Sequence, residues 1–341
     1  MENSNLVWNL HEKQLSISGF RKFEKARIEG IFEEDIWDRD IVVAESGLID
    51  MQKTIKEGKP LTLFVGYSPG RPHLGYILMN RFLKSFRRYD STKIILGINI
   101  KESMETHNRT LEETLKSNEL VERALLGDNT REITRVYDLS FLNDLSIQKL
   151  HNEIYSRVVR ELTFVDFNKI MGWDEKTPLS QYESTCRAIS GMLYAPAQNQ
   201  GSSSLSFTDI KHLPFVRLTK KVSKKLSIKE PSFLVTTALP SLTDETQRMS
   251  SIGGDSTIYL FSEVEELDKY LKVRSGGRPK EEQMTYGGRP DSCLALKIAS
   301  YIISSHETER TISECTSGTR DSCRECKKLM ANYMNHEMNS L

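Results

Sequence analysis

Between Pro60 and Ser140 the chain alternates two hydrophobic periods. PLTLFVGY (Pro60–Tyr67) is a short apolar run closed by turn residues, as a buried strand requires. Leu74, Ile77, Leu78, Phe82, Phe86 and Tyr89 then recur at steps of three and four, which draws one apolar stripe along a helix beginning near Leu74. Arg81, Lys84, Arg87 and Arg88 lie mostly off that stripe. KIILGINI (Lys93–Ile100) is a second buried run. RTLEETLKSNELVERALLGD reads as a helix, with Thr110 and Glu113 in capping-box register and Gly127 as the stop. REITRVYDLS (Arg131–Ser140) reads as a third strand. Strand, helix, strand, helix, strand predicts an α/β fold in which helices wrap a parallel sheet.

The chain's 341 residues suggest two domains. Residues 1–58 are polar and weakly patterned; RKFEKARIEGIFEEDIWDRD (Arg21–Asp40) can form a helix but says little. Residues 59–260 carry the alternation, and residues 261–341 look helical almost throughout. The stretch YAPAQNQGSSSLSFTD (Tyr194–Asp209) is loop-like. LPFVRLTKKVSKKL follows as a helix, with Phe215, Leu218, Val222 and Leu226 on one side. Arg217, Lys220, Lys221, Lys224 and Lys225 form a basic side, which by itself reads as a solvated face.

Lysine plus arginine equals aspartate plus glutamate, so no global basic field for nucleic acid exists and any such surface is local. No run approaches the roughly 20 apolar residues of a membrane span. The N-terminus lacks the basic start and apolar centre of a signal peptide. Five cysteines without such a signal suggest a reducing compartment, the cytoplasm. Cys323-x-x-Cys326 with Cys315 and Cys293 has the sulfur count of a zinc site. The pair lies in a helical run and the other spacings are irregular, so thiols are expected and no metal; Cys186 reads as a further thiol.

In an open parallel sheet, ligands bind beyond the carboxyl ends of the strands. GYSPGRPHLGYILMNRFL (Gly66–Leu83) stands there. Gly66 and Gly70 permit tight backbone, helix N-terminal amides attract an anion, and His73 can donate to a phosphate oxygen. Gly75, without a side chain, lets a flat ring approach the helix backbone. Those are the needs of an ATP site, although a histidine at a helix start is more often a cap or a surface residue. TQRMSSIGGDSTIYL (Thr246–Leu260) adds a Gly- and Ser-rich loop with the cation Arg248, Met249, and the hydroxyls of Ser250 and Ser251.

Together these stretches resemble the two signatures of class I aminoacyl-tRNA synthetases, His-x-Gly-His and Lys-Met-Ser-x-Ser. More specifically, the chain resembles tryptophanyl-tRNA synthetases of the archaeal and eukaryotic type. LPFVRLTKKVSKKL, EPSFLVTTALPSLTDETQRMSS, SGGRPKEEQMTYGGRPDSC and CTSGTRDSCRECKK carry that resemblance, which covers residues 59–335. It implies a Rossmann-like parallel sheet with a helical C-terminal domain that contacts tRNA. It further implies ATP with Mg2+, an amino acid substrate and a homodimer. By resemblance His73 and Arg248 would be catalytic, and Gly66, Gly75, Tyr76, Met249, Ser250 and Ser251 would hold ATP. Phe64, Gly97, Glu102 and His212 would line the amino-acid pocket.

The departures from the family pattern concentrate in that pocket. The second signature histidine is Tyr76, the leading lysine of the loop is Arg248, and its last serine is Ile252. The family's Asp-Gln-Asp-Pro is here Lys211, His212, Leu213 and Pro214. A family glutamine aligns with Gly97, its acidic pair with Ile100 and Lys101, and its strand tyrosine with Phe64; Glu102 aligns with the following glutamate. The expected activity is adenylate formation with tryptophan as the default. A paralogue for another amino acid and a non-catalytic homologue stand as the alternatives.

Overall fold

The structure is a computed structural model that describes residues 3–24, 37, 41–86, 89, 91–127, 132–198, 203–262, 265–319 and 322–341. Most of the possible helix at 21–40, and both Arg87 and Arg88, lie outside the described residues. The chain opens with α1 (Asn3–Ile17), β1 (Arg21–Lys22), β2 (Val42–Ser46), α2 (Leu48–Lys56), β3 (Leu61–Tyr67), α3 (Gly75–Ser85) and β4 (Thr92–Ile98). It continues through α4 (Ile100–His107), α5 (Leu111–Leu126), β5 (Ile133–Tyr137), α6 (Leu145–Glu161), α7 (Phe164–Met171) and α8 (Leu179–Gln198). Then come β6 (Ser203–Asp209), α9 (Leu213–Leu226) and β7 (Ser232–Thr236). The last part is helical: α10 (Glu265–Leu271), α11 (Lys280–Tyr286), α12 (Leu294–Ile302), α13 (Ser305–Thr316) and α14 (Cys323–Asn339).

The strands form one sheet in the order β1-β2-β7-β6-β3-β4-β5. From β7 to β5 every pairing is parallel, while β2 joins β7, and β1 joins β2, antiparallel. β3 is buried at every position except Gly66, as its apolar run predicts. The stripe on α3 is buried at Leu74, Ile77, Leu78, Phe82 and Phe86. Thr110 and Glu113 form the capping box of α5, and Gly127 follows its last turn. β2 and α2 arise from the weakly patterned stretch before residue 59, yet β2 is buried throughout.

The largest difference from the sequence reading is at Tyr194–Asp209. Its described residues are not a loop: they comprise the end of α8 and β6, a central strand between β3 and β7. Its serines hide it, because an apolar run is the usual mark of a buried strand. Here Ser203, Ser204 and Ser206 are buried instead, and the Ser203 hydroxyl hydrogen-bonds that of Thr54 on α2 at 2.6 Å. The basic side of α9 is also not simply solvated. Lys220 is 9% exposed. Its ammonium donates to the Ser18 carbonyl at 3.0 Å and to Ser46 Oγ at 2.6 Å, and pairs with Glu230 at 3.1 Å. Lys221 pairs with Asp166, and Lys225 with Glu161 at 3.2 Å.

One apolar cluster runs from β3, α3 and β4 into α10, α12 and α14. Tyr270 is fully buried and donates to the Ala295 carbonyl at 2.7 Å, and Arg81 of α3 pairs with Glu337 of α14 at 2.5 Å. Cys293, Cys315, Cys323 and Cys326 face one small void among α11–α14. Cys186 is buried in a second cluster with Phe64, Ile95 and Val136, and burial pushes its thiol up to about 11. No helix among the described residues is long and apolar enough to cross a membrane.

Strand order decides where a ligand can sit. β4 and β5 extend the sheet to one side of β3, and the chain then crosses over to lay β6 on the other side. The carboxyl ends of β3 and β6 therefore flank a topological switch point, where the connections diverge and leave a crevice.

Candidate active site

A cavity of about 870 Å³ opens at that switch point. All twelve residues assigned to the site by sequence line it. Phe64 and Gly66 come from the end of β3, Gly97 from β4, and Glu102 from the first turn of α4. His73, Gly75 and Tyr76 stand at the entrance to α3, and His212 at the entrance to α9. Arg248, Met249, Ser250 and Ser251 close the remaining side.

The two signature segments are fastened to each other. His73 and Tyr259 form an isolated antiparallel bridge. Leu260 N–H donates to the Pro72 carbonyl at 2.8 Å, and Leu74 N–H to the Ile258 carbonyl at 3.2 Å. Met249, 2% exposed, anchors the loop in the core. Ser251 leans over Gly70, where a Cβ would sit 2.6 Å from that of Ser251.

His73 is held in one state. Its Nδ1 accepts from the Gly75 N–H at 3.1 Å. Burial, reinforced by the charge of Arg248, pushes the ring down to about 4. A neutral imidazole that accepts at Nδ1 carries its proton on Nε2 and can donate there. The Tyr76 ring packs edge-on against it, with centroids 5.2 Å apart, and burial pushes that phenol up to about 12. Tyr76 is thus a neutral donor where the family pattern offers a second imidazole.

Elsewhere in the cavity, Ser68 Oγ donates to Glu102 Oε2 at 2.6 Å. Phe64, 3% exposed, lies in a cradle of three glycines. A Cβ at Gly97 would fall 2.5 Å from Phe64 Cζ, one at Gly66 3.2 Å from Cε1, and one at Gly191 3.5 Å from Cζ. The ring occupies the space that a longer side chain at 97 would need. His212 Nδ1 hydrogen-bonds Asp209 Oδ1 at 2.8 Å.

Several cavity residues escaped the sequence reading. Asp209 closes β6, which had no strand signal, so its place at a strand's carboxyl end was hidden. His107, at the end of α4, brings Nε2 to 3.4 Å from Ser251 Oγ. Asp138 reaches across from β5 and accepts the N–H groups of Ile100 at 2.8 Å and Lys101 at 3.0 Å, capping α4 from a neighbouring strand. His151, 1% exposed, faces the same cavity from α6. Only the pairing of distant elements makes these residues neighbours.

No family model matches the chain. Curated relatives do. The tryptophan–tRNA ligase of Pyrobaculum aerophilum is 27% identical over 282 residues, covering 80% of this chain and 72% of that one. The human cytoplasmic tryptophan–tRNA ligase is 22% identical over 285 residues, covering 76% of this chain and 57% of that one. Among solved structures, the tryptophanyl-tRNA synthetase of Aeropyrum pernix K1 aligns over 100% of this chain and 94% of its own, with a TM-score of 0.86 and 18% identity. A tyrosyl-tRNA synthetase from Aeropyrum pernix reaches a TM-score of 0.68 at 14% identity.

The chain is similar to tryptophanyl-tRNA synthetases and has their fold.

Within this tryptophanyl-tRNA synthetase fold, departures from the family pattern line both parts of the cavity: Tyr76, Arg248 and Ile252 in the signature segments, and Phe64, Gly97 and His212 opposite them. No group of three or more His, Cys, Asp or Glu among the described residues stands so as to hold a metal.

The site also sets an acid limit on stability. Burial pushes His73 and His151 each down to about 4, whereas in the unfolded chain both return to about 6.5. The unfolded chain takes up those protons first, so stability is intact above about pH 6.5 and is lost as pH falls toward 4. Asp138 acts oppositely. Burial raises it to about 6 against the lowering effect of its backbone hydrogen bonds, and the folded form takes up its proton first. Two histidines outweigh one aspartate, so thermal or urea melts should show about 2–4 kcal/mol less stability at pH 4 than at pH 7. His73→Asn with His151→Gln should flatten that slope; an unchanged slope in the double variant would refute the assignment.

Proposed function

We propose that the chain binds ATP and an amino acid in this cavity, joins them as an aminoacyl adenylate and passes the aminoacyl group to tRNA, as a tryptophanyl-tRNA synthetase-like enzyme. The observation that carries this reading is the bridge at His73 and Tyr259, which fastens the two signature segments around one cavity at the switch point. An amino-acid carboxylate oxygen attacks the α-phosphorus of ATP, and pyrophosphate leaves in line. No covalent enzyme intermediate is needed, so positioning and charge neutralisation do the work.

His73 Nε2–H donates to a phosphate oxygen, and Gly75 leaves room for the adenosine. Arg248, Ser250 and Ser251 attend the departing pyrophosphate, with Gly66, Tyr76 and Met249 in the walls around the nucleotide. Glu102 takes the substrate's amino group, while Phe64, Gly97 and His212 face its side chain. Mg2+ enters as the ion of the nucleotide itself, with phosphate and water as its ligands. The helical segment 261–341 contacts tRNA, the enzyme works in the cytoplasm, and it pairs as a homodimer; the resemblance to the relatives supports these three.

A second reading has its own observation. With the Phe64 ring set against Gly97, the floor of the side-chain subsite is apolar and lacks the phenol and amide of the family pattern. Losing a buried hydrogen-bond partner costs about 1–3 kcal/mol. That favours a specialised enzyme which activates a different amino acid. ATP–pyrophosphate exchange decides between them. Exchange driven by tryptophan is the expected result, and exchange driven by another amino acid establishes the second reading. No exchange with any amino acid overturns both.

A further inference from the structure

Asp209 has no part in the roles above, yet it touches both halves of the site. Its Oδ1 accepts from His212 Nδ1 at 2.8 Å, and from the N–H groups of Lys211 at 2.9 Å and His212 at 3.2 Å. Its Oδ2 accepts from Arg248 at 2.5 Å. Burial alone would raise this carboxyl. The hydrogen bond and charge of His212, then the charge of Arg248, instead hold it well below the usual carboxylate range. Arg248 lines the same cavity as His73 and Tyr76, and both feel its charge. The family pattern that this chain resembles carries its acids at 211 and 213, where this chain has Lys211 and Leu213.

We propose that Asp209 is a positioning residue that links the two substrate subsites: it orients His212 on the amino-acid side and holds Arg248 away from the phosphates until nucleotide displaces it. The proposal rests on the ATP site described under Proposed function. A carboxylate and a polyphosphate compete for one guanidinium, and the polyphosphate wins on charge. Two donors share one carboxylate. Removing the His212 donor therefore leaves Asp209 with only Arg248 and the capping N–H groups, and tightens its hold on Arg248. A change on the amino-acid side thereby reaches the nucleotide side without direct contact, and the linkage runs both ways.

A role limited to capping the 3-10 turn Ile210–His212 that leads into α9 makes different predictions. Asn is as good a cap as Asp, so Asp209→Asn keeps shape and cap and removes the charge. The probe is a nonhydrolysable ATP analogue, titrated calorimetrically into the full chain. The panel is the parent, Asp209→Asn, Arg248→Gln, His212→Ala, and the doubles Asp209→Asn/Arg248→Gln and Asp209→Asn/His212→Ala, with melting temperatures measured alongside. Asp209→Asn should bind the analogue about tenfold tighter, the low end for a charge-assisted pair because Arg248 is 37% exposed. That gain should vanish in the Arg248→Gln background. His212→Ala should weaken binding about threefold or more, and should have no effect once residue 209 is Asn.

A purely structural role gives equal or weaker binding in Asp209→Asn, or a His212→Ala effect that persists in the double variant; either overturns the proposal. Analogue binding by the parent with no change in Asp209→Asn overturns the proposal and leaves the ATP site standing. No binding by the parent overturns both.

Discussion

His73→Ala lowers amino-acid-dependent ATP–pyrophosphate exchange by about 10²–10³-fold, the effect of removing one preorganised donor from a site where charge develops. The geometry makes the loss a loss of chemistry rather than of fold. His73 sits at the entrance to α3, and its ring accepts the Gly75 N–H at 3.1 Å, a bond that water can replace when the ring is gone. The segment stays fastened by backbone bonds from Leu74 to Ile258 and from Leu260 to Pro72, which the substitution leaves alone. Melting temperature should therefore move little while kcat falls. The ring works neutral, with its ionisation pushed down to about 4. The parent's activity should accordingly show no inflection from His73 between pH 6 and 8, whereas an imidazolium donor would lose activity as pH rose through its ionisation. Exchange in His73→Ala within a few-fold of the parent would sink the assignment.

Gly97→Gln, which writes the family residue back into this chain, costs stability instead of restoring a function. A Cβ at 97 falls 2.5 Å from Phe64 Cζ and 2.8 Å from Cε2, and the ring has nowhere to turn because Gly66 and Gly191 back it on other sides. Forcing a side chain into a packed site costs about 1–3 kcal/mol, and here both strands of a central parallel pair must shift. Phe64→Ala alone costs about 3–5 kcal/mol for the emptied space. Combined, the two substitutions should cost far less than their separate effects added together, since the glutamine enters the space that the ring vacates. Urea unfolding of the four proteins gives the coupling. Strict additivity would show that the ring and position 97 do not share that space.

Much of this was legible locally. The apolar run at 60–67, the three-and-four stripe that follows it and the capping box at 110–113 each depend on residues close together in the chain, and each stands in the structure at its expected place. The two signature segments were found for a related reason: they carry glycines, a histidine and a loop cation in fixed local spacing, and in the structure they line one cavity.

What sequence could not supply is what lies opposite. β6 has hydroxyls where a buried strand normally has methyl groups, and only its place between β3 and β7 makes Ser203–Asp209 a strand. Lys220 reads as a surface cation and is buried, because Ser18, Ser46 and Glu230 arrive from three other segments to meet it. Gly97 reads as a lost hydrogen bond and proves to be the space for a phenyl ring on the adjacent strand β3, two residues out of register. The sequence by itself determined the alternating core between residues 60 and 140 and the bounds of α5, because periodicity and capping are short-range physics. The tertiary structure alone decided strand order, the cradle around Phe64 and the meeting of Asp209 with Arg248 and His212. Those depend on which distant segments share a space, and a buried contact is encoded in the two partners jointly and in neither one alone.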